Sequence, residues 1–346
     1  MSNIDISQEL SHNSFNLPVF ATQEFLKIKS TKNNFGYFHN DVCAIPFFVE
    51  NYFHIKRLRF TETVLKRIDT AVSAEAQKSF LDDVISLVQK KKFVDFIAPP
   101  MPHCVFNVVP ENVDYIRWGS FIMNLENASD KEEDIFKLFP HRFRNRIYKG
   151  LDEHTEVSET DDVKIVHDII SDTFKRQKSP YTPPYSFLEQ LKTRLKNNTK
   201  LFTASNDGEI QGVAVILYNE NGAYNYYAGS VKRPTNGSLN VLQYSIIKLL
   251  IEMHVPKYDF MGARLMYRKG SKFEGIQQYK KSLGTELDKG YIFSYVANKI
   301  NYKLFNTLVK IYTRFTGKEY EGDVIRQTKT LEEEYAKTQS EDIVVL

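Results

Sequence analysis

The stretch at residues 262–275 combines basic side chains with glycines, directly after an apolar run that ends in Tyr258-Asp259-Phe260. Arg and Lys side chains, together with backbone N–H groups that glycine leaves accessible, are the groups that cradle a pyrophosphate. The pattern therefore predicts a phosphate-binding loop, and a solvated basic surface is the alternative interpretation. The residues concerned are Arg264, Arg268, Lys269 and Lys272, with Gly262, Gly270 and Gly275.

A second basic cluster contains Arg142, Arg144, Arg146 and Lys149, partly at the i, i+4 spacing of one helix face. It suits the same kind of ligand, and a solvated basic face is again the alternative. Phosphate is carried by nucleotide-linked and lipid-linked sugars, by coenzyme A and by tRNA. The two clusters therefore do not choose among these substrates.

Several common catalytic arrangements are absent from the sequence. It has no Gly-x-Ser-x-Gly motif, Cys43 and Cys104 do not form a Cys-x-x-Cys pair, and the 8 His residues show no metal-ligand spacing. These absences predict a reaction without a serine or cysteine nucleophile, without a metal site and without a structural disulfide.

The composition is that of a globular protein, and 346 residues leave room for two domains. The formal net charge of +3 is too small for nucleic-acid binding by the whole surface, so any basic site must be local. No secretory signal opens the chain, and its apolar runs are shorter than the ~20 residues that span a bilayer. We therefore expect a cytoplasmic protein.

The order of predicted elements repeats along the chain. After residue 150 the sequence predicts two helices, a meander of three strands with Asn/Asp-Gly turns, a further helix and a last strand. The first half predicts a worn version of this order: a strand pair, a helix and a strand. The order is similar to that of GNAT-type N-acetyltransferases. It predicts an α/β (α+β) protein with two tandem GNAT-like domains, each a mixed, mostly antiparallel sheet flanked by helices.

Residues 1–148 are expected to form a degenerate N-terminal GNAT-like domain, and residues 149–318 the acyltransferase domain. A single basic helix is predicted at residues 130–151, and the run at 290–318 is predicted to be helical. Residues 319–346 are expected to form a loosely held polar tail.

Four stretches occur in order between residues 110 and 290. They are Trp118-x-x-Phe121 followed by Arg144-Asn145-Arg146-Ile147-Tyr148-Lys149, the strand end YNYYAGS at 224–230, Tyr258-Asp259-Phe260-x-Gly262, and Gly275-Ile276-x-x-Tyr279-Lys280-x-x-Leu283-Gly284. Together they resemble the Fem-type peptidoglycan bridge-forming aminoacyltransferases and related tandem GNAT acyltransferases. Tyr279 and Leu283 stand where this family usually has Phe, and Gly150 stands where it usually has Ala.

The resemblance implies transfer of an acyl group from an activated ester or thioester to an amine that attacks the carbonyl directly. Such a reaction needs aligned substrates, a stabilised oxyanion and an acceptor for the amine proton. Lys280 stands where the family has its lysine, so it is expected to stabilise the oxyanion; a solvated helix lysine is the alternative. Asp259 is expected to take the proton or orient the amine, or else to cap the following loop.

Tyr226 and Tyr227 close another strand of the same sheet. Regular alternation predicts that only one of them faces the site and that the other is a core residue. We assign Tyr227 a catalytic role, and Tyr226 and Tyr279 a role in substrate binding.

These features predict an enzyme that forms an amide on an amine of a peptidoglycan or surface-polysaccharide precursor. The donor is expected to be aminoacyl-tRNA or acyl-CoA as a co-substrate, with no tightly bound cofactor, and the acceptor a nucleotide- or lipid-linked envelope precursor. The amphipathic segment at 291–315 either packs on the protein or contacts the inner face of the membrane peripherally. An acyl-CoA-dependent N-acyltransferase of an amino sugar and a non-catalytic GNAT-fold scaffold are the alternative functions.

Overall fold

The computed structural model describes residues 4–10, 14–179, 181–316 and 322–346. Up to residue 152 its elements are β1 (Asp5–Ser7), α1 (Gln23–Lys29), β2 (Phe35–His39), β3 (Cys43–Tyr52), β4 (Ile55–Phe60), β5 (Leu65–Lys66), α2 (Ala74–Lys91), β6 (Phe96–Ile97), β7 (Asp114–Asn124), α3 (Glu132–Lys137) and α4 (His141–Asp152). The elements that follow are β8 (Glu156–Glu159), α5 (Val163–Arg176), α6 (Tyr185–Arg194), β9 (Thr199–Asn206), β10 (Glu209–Asn219), β11 (Gly222–Ser230), α7 (Ser238–Glu252), β12 (Lys257–Arg264), β13 (Met266–Arg268), α8 (Lys272–Ser282), β14 (Glu286–Val296), α9 (Lys299–Phe315), α10 (Val324–Thr338) and β15 (Ile343–Val345). Among the described helices, none combines the length and the apolar character needed to cross a bilayer.

The chain divides into two compact units, and each is assembled from separate stretches. The first unit consists of Met1–Ser120, Gly262–Glu274 and Asp288–Leu346, and the second of Phe121–Met261 and Gly275–Leu287. These bounds differ from the predicted division at residues 148 and 149, since the chain returns to the first unit after Met261 and again after Leu287. The predicted boundary at residues 318 and 319 lies outside the described residues.

The first unit contains a sheet with the strand order β1-β2-β3-β4-β6-β14. Strands β1 to β4 pair antiparallel, and β6 joins β4 in parallel. Helix α2 connects β4 and β5 to β6, and its N-cap Ser73 accepts a hydrogen bond from the Ala76 N–H. Phe80, Val84 and Val88 form its buried face at the helical spacing that the sequence predicted.

The second unit contains a sheet with the strand order β12-β11-β10-β9-β8, in which only β11 and β12 pair in parallel. The turn between β9 and β10 has left-handed φ values at Asp207 (48°) and Gly208 (80°), as a tight Asp-Gly hairpin turn requires. Helix α5 lies on one face of the sheet and α7 on the other. Gly229 and Gly212 permit this packing, since a Cβ at Gly229 would lie 3.0 Å from the Ile169 carbonyl oxygen and one at Gly212 would lie 2.3 Å from the Leu239 side chain.

Both units follow the same order of elements. A helical segment precedes a meander of three antiparallel strands, a helix follows, and the next strand pairs in parallel with the last strand of the meander. The predicted fold class, two tandem GNAT-like folds with mixed, mostly antiparallel sheets flanked by helices, is confirmed.

The predicted single helix at residues 130–151 is wrong, because the chain forms α3 and α4 with Pro140 between them. Proline has no N–H to continue a helix, and here it occupies the N-cap position of α4. Its carbonyl oxygen accepts hydrogen bonds from the N–H groups of Phe143 and Arg144, which begins α4.

Two C-terminal segments also differ from the expectation. Residues 290–296 belong to strand β14, so the predicted helical run begins only with α9. Residues 322–346 form α10 and β15 rather than a loose tail: β15 pairs antiparallel with β13, and Ile325 and Ile343 are buried. Ile325 packs with Ile116, Trp118 and Ile292, which lie far away in the sequence, so the segment alone does not indicate that it is held.

Candidate functional site

The pairing of β11 with β12 ends partway along both strands. Ala223 pairs with Tyr258 and Tyr224 with Asp259, whereas β11 stays paired with β10 as far as Ser230. Beyond Tyr224 and Asp259, no further residue pair joins the two strands in the described part of the chain. We call this place the β11–β12 opening. The two strands therefore separate within the second unit, beside Tyr224 and Asp259.

Asp259 lies at the start of the opening and is almost completely buried, with 4% of its surface exposed. Its Oδ1 accepts a hydrogen bond of 2.6 Å from the Met261 N–H. Met261 has a φ of 65°, in the left-handed region that a residue with a long side chain rarely adopts. Backbone strain of this kind persists only where the surroundings enforce it, and it is concentrated at functional sites.

Lys280 approaches the same strained residue from helix α8. Its Nζ donates a hydrogen bond of 2.9 Å to the Met261 carbonyl oxygen. The whole side chain is half-buried, but its ammonium group is directed inward, and burial lowers the pKa of Lys280 to about 8. The negative charge of Asp259 acts in the opposite direction and raises this pKa. One backbone residue thus connects a buried carboxylate to a buried ammonium.

The Leu283-Gly284 end of the motif fixes the helix that carries Lys280. Gly284 has a φ of 86°, and a Cβ at this position would lie 2.5 Å from the Leu138 carbonyl oxygen. Leu283 is completely buried, and the Thr285 hydroxyl donates to the Lys280 carbonyl oxygen at 2.8 Å. A glycine is therefore required where α8 ends against the α3–α4 junction.

Tyr226 and Tyr227 do not alternate as predicted. The register between β10 and β11 shifts after Val215, which pairs with Tyr227, and Ile216 then pairs with Asn225. Tyr226 is consequently the extra residue of a β-bulge, which interrupts the alternation of side chains. Both rings are half-buried, lie 4.5 Å apart and contact Phe187. The expectation that one of the two faces the site and the other is core is therefore wrong.

The Tyr227 hydroxyl is held in its neutral form. Burial raises its pKa well above the usual range, and the neighbouring Tyr226 and Tyr181 raise it further. A neutral phenol donates a hydrogen bond and does not act as a base at neutral pH. Of the catalytic roles that a tyrosine can have, Tyr227 therefore keeps hydrogen-bond donation and loses that of a general base.

Asn225 is a residue that the sequence reasoning missed. It follows the last residue of β11 that pairs with β12, and its Oδ1 is buried without a hydrogen-bond partner among the described residues. A buried acceptor without a partner is costly and calls for an explanation such as a ligand. The signal in the sequence is an amide side chain between Tyr224 and Tyr226 in an otherwise aromatic stretch.

The basic residues at 264–272 lie in the first unit and not in a loop. Arg264 ends β12, Arg268 ends β13 and Lys272 begins α8, and only Lys269 lies in the short turn between β13 and α8. Arg264 donates to Gln327 at 2.8 Å and stacks on the Phe273 ring, and Arg268 forms a bidentate ion pair with Glu334. Helix α10 therefore supplies partners for both arginines. Lys269 and Lys272 are exposed, and the phosphate-binding role of all four stays a prediction.

The second basic cluster lies on α4 in the second unit. Arg146 is exposed, whereas the Nε of Arg144 is buried and has no hydrogen-bond partner among the described residues. Helix packing explains why Gly150 replaces the Ala that is usual in the family. A Cβ at this position would lie 2.7 Å from the Gly237 backbone, where α4 meets α7. Tyr279, next to Lys280, has 37% of its surface exposed.

Two further stretches of the resemblance meet in the first unit. A Cβ at Gly262 would lie 2.6 Å from the Trp118 ring, and the Trp118 indole N–H donates to the Pro102 carbonyl oxygen at 2.8 Å. Gly262 is therefore explained by packing against Trp118 rather than by an approaching phosphate.

Comparison with known proteins identifies a GNAT domain in the chain. A profile of the acetyltransferase (GNAT) domain matches residues 141–281, which include the β11–β12 opening, Asp259 and Lys280. Among solved structures, FemX superposes with a TM-score of 0.60 at 15% sequence identity, over 81% of this chain and 92% of FemX. A search of the curated proteins found no match.

Two more distant structures are similar over comparable lengths. L-PGS from Bacillus licheniformis has a TM-score of 0.47 and 12% identity, over 83% of this chain and 90% of its own. A tandem GNAT protein from the clavulanic acid biosynthesis pathway has a TM-score of 0.45 and 10% identity, over 76% and 83% of the two chains.

The GNAT match and the fold shared with FemX confirm the resemblance to Fem-type and tandem GNAT acyltransferases. The protein is an acyltransferase built on the GNAT fold.

Proposed function

We propose that the protein transfers an acyl or aminoacyl group to an amine of a cell-envelope precursor, either of peptidoglycan or of a surface polysaccharide. The observation that carries this proposal is the arrangement of Asp259, Met261 and Lys280 at the β11–β12 opening. It combines a group that can accept a proton with a cation that can stabilise negative charge, and direct amine attack needs both.

In the proposed reaction the acceptor nitrogen forms a bond to the donor carbonyl carbon, and the C–O or C–S bond of the activated ester or thioester breaks. Asp259 accepts the proton that the amine loses, and this proton is passed on to the leaving oxygen or sulfur. Because the amine attacks the donor carbonyl directly, no covalent enzyme intermediate is needed. Lys280 stabilises the oxyanion of the tetrahedral intermediate.

Three neighbouring groups are proposed to position the substrates. Asn225 Oδ1 accepts a hydrogen bond from an N–H of the acceptor or donor, which satisfies an otherwise unpaired buried acceptor. Tyr227 donates from its neutral hydroxyl, and Tyr226 supplies a ring surface.

The donor is proposed to be an aminoacyl-tRNA or an acyl-CoA that binds as a co-substrate, without a tightly bound cofactor. Arg144 and Arg146 on α4 are the proposed phosphate contacts in the second unit, because the buried Nε of Arg144 is available to an anion. The acceptor is proposed to be nucleotide- or lipid-linked, and the enzyme to work in the cytoplasm at the inner face of the membrane.

An amino sugar as the acceptor is a second candidate. It is favoured by the aromatic side chains around Tyr226 and Tyr227, which are Phe187 and Tyr181, since Tyr181 exposes 49% of its surface. Exposed aromatic rings provide flat apolar surfaces for stacking.

The decisive experiment combines donor and acceptor panels. Purified protein is incubated with labelled acyl-CoAs or aminoacyl-tRNAs together with UDP-linked muropeptides or UDP-amino sugars, and amide products are identified by mass spectrometry. Product with one acceptor class assigns the substrate. No product and no thermal stabilisation with any panel member would contradict the proposal.

A further inference from the structure

Helix α9 has one face packed in the first unit. Phe305 is buried with Ile55 and Phe96, and Tyr302 and Val309 pack against the same cluster. These side chains lie three or four residues apart and therefore on one side of the helix. The side of the helix that adjoins Phe305 is not part of this cluster.

This adjoining side carries a continuous apolar strip. At about 100° per residue, its members fall within one third of the helix circumference. The strip, with the exposed surface of each residue, consists of Ile300 (80%), Leu304 (49%), Leu308 (37%), Ile311 (48%), Tyr312 (61%) and Phe315 (87%). Single exposed apolar side chains are ordinary, but a contiguous strip of six marks an interaction surface.

Basic residues line one edge of this strip. Lys299, Lys303, Lys310 and Arg314 lie together on the adjoining flank of α9, and the helix contains no Asp or Glu. An apolar strip with cations beside it and no carboxylate has the charge complementary to an anionic lipid surface.

The β3–β4 hairpin adds a further apolar group next to α9. The Tyr52 ring lies 5.3 Å from the Phe305 ring, so the hairpin end adjoins the helix. Phe53, at the turn, has 88% of its surface exposed and a left-handed φ of 56°. Asn, Asp and Gly are preferred at such a position, and an exposed Phe there lacks a structural reason.

We propose that the α9 strip, together with Phe53, docks the protein on an anionic phospholipid surface, with the helix lying in the plane of the interface. A second copy of the chain fits less well, because two such faces would bring rows of cations together without a carboxylate on either helix. The proposal deepens the proposed function, since it supplies the contact through which a lipid-linked acceptor would be reached.

Vesicle co-sedimentation tests the proposal with the full chain. We expect binding to vesicles of phosphatidylcholine plus phosphatidylglycerol and much weaker binding to phosphatidylcholine alone, with loss of binding at high salt. Phe315→Ser should weaken binding about tenfold or more, since the most exposed ring of the strip would no longer be buried in the interface. Ile68→Ser, which changes an exposed apolar residue outside the strip, is the matched control and should leave binding unchanged.

Two double variants that remove lysine charges separate the electrostatic contribution to vesicle binding from the apolar contribution. Lys303→Gln with Lys310→Gln should reduce binding to anionic vesicles, whereas Lys90→Gln with Lys91→Gln at the exposed end of α2 should not. Absence of binding to anionic vesicles, or equal effects of strip and control variants, overturns the proposal. It is also overturned if sedimentation shows a dimer that Phe315→Ser dissociates.

Acyl transfer to a soluble acceptor, measured without lipid, distinguishes this proposal from the proposed function. The strip variants should retain the wild-type rate in that assay. An active enzyme that ignores vesicles would contradict the docking surface alone, and a vesicle-binding protein without transferase activity would contradict the proposed function alone.

Discussion

Each unit contains a buried lysine with a pKa of about 8, but the two lysines have different surroundings. Burial is the largest cause in both. Around Lys29 in the first unit, Arg59 and Arg57 lower the pKa further, and Glu50, which raises it, offsets only part of their effect. Around Lys280 in the second unit, the charge of Asp259 raises the pKa. The two lysines thus reach the same pKa in different settings. Two arginines and one carboxylate act on Lys29, whereas the charge that acts on Lys280 is the carboxylate of Asp259.

The partners of these lysines differ in the same way. Glu50 accepts hydrogen bonds of 2.8 and 2.5 Å from the Arg57 guanidinium, so this carboxylate is engaged by an arginine that lies directly across the β3–β4 ladder. Asp259 and Lys280 instead bond to the N–H and the carbonyl oxygen of one strained residue at a strand opening. A lowered lysine pKa alone does not identify a site. The contact that Asp259 and Lys280 share with Met261, where β11 and β12 separate, makes Lys280 the candidate site residue.

The largest expected effect comes from removing the two lysines in turn. Lys280→Met should lower kcat about 10²-fold or more while the protein stays folded, since a positioned cation contributes several kcal/mol to oxyanion stabilisation. Lys29→Met is the matched control and should leave kcat within about twofold. Steady-state kinetics and thermal melts of both variants decide the matter, and equal activity of the two would remove Lys280 from the mechanism.

Asp259→Asn should have the next largest effect. It leaves the Met261 N–H with an acceptor but removes the proton acceptor, and we expect a fall in kcat of about 10²-fold, the lower range for general base catalysis. The variant should also lower the pKa of Lys280, because the charge that raises it is lost. An unchanged pH–rate profile together with an unchanged kcat would restrict Asp259 to capping the strand end.

The pH dependence sharpens the role of Lys280. If the ammonium form is required, kcat should fall as the pH rises through about 8, where Lys280 loses its proton. Lys280→Arg keeps its charge far above this pH and should abolish the alkaline limb, even if its rate is lower. A rate that instead rises through pH 8 in the wild type and not in Lys280→Arg would make Lys280 a general base.

Stability offers a smaller effect that both lysines share. An unfolded lysine keeps its proton to about pH 10.5, whereas each folded one releases it near pH 8, so unfolded chains bind more protons between these values. The free energy of unfolding should therefore rise between about pH 8 and 10.5, after other groups are accounted for. Lys29→Met should reduce this rise, as urea denaturation at several pH values would show, and a full wild-type rise in the variant would contradict it.

The sequence predicted those parts of the fold that depend on local patterns. The meander turn at Asp207-Gly208, the periodicity of α2 and the motif that ends in Leu283-Gly284 each depend on residues that lie close together in the sequence. The bulge at Tyr226 depends on its register with β10, and β13 pairs with the distant β15, so no local pattern indicates either. Asp259 and Lys280 were expected from family resemblance, but their shared contact with Met261 is visible only in the folded chain.

The smallest expected effect on catalysis concerns Arg264 and Arg268, where two interpretations now compete. As phosphate ligands they would matter for substrate binding, so Arg264→Gln with Arg268→Gln would raise KM with little change in kcat. Their contacts with Gln327 and Glu334 favour a structural role, because both arginines attach α10 to the ends of β12 and β13. Exposed ion pairs contribute little, about 0–1 kcal/mol, so we expect a Tm lower by a few degrees and a KM within about twofold of the wild type. Glu334→Gln is the control, since it breaks the ion pair without removing a basic group. If it lowers Tm as the double variant does and neither changes KM, the basic stretch serves to attach the C-terminal helix. A salt-dependent KM that only the double variant raises would restore the phosphate site.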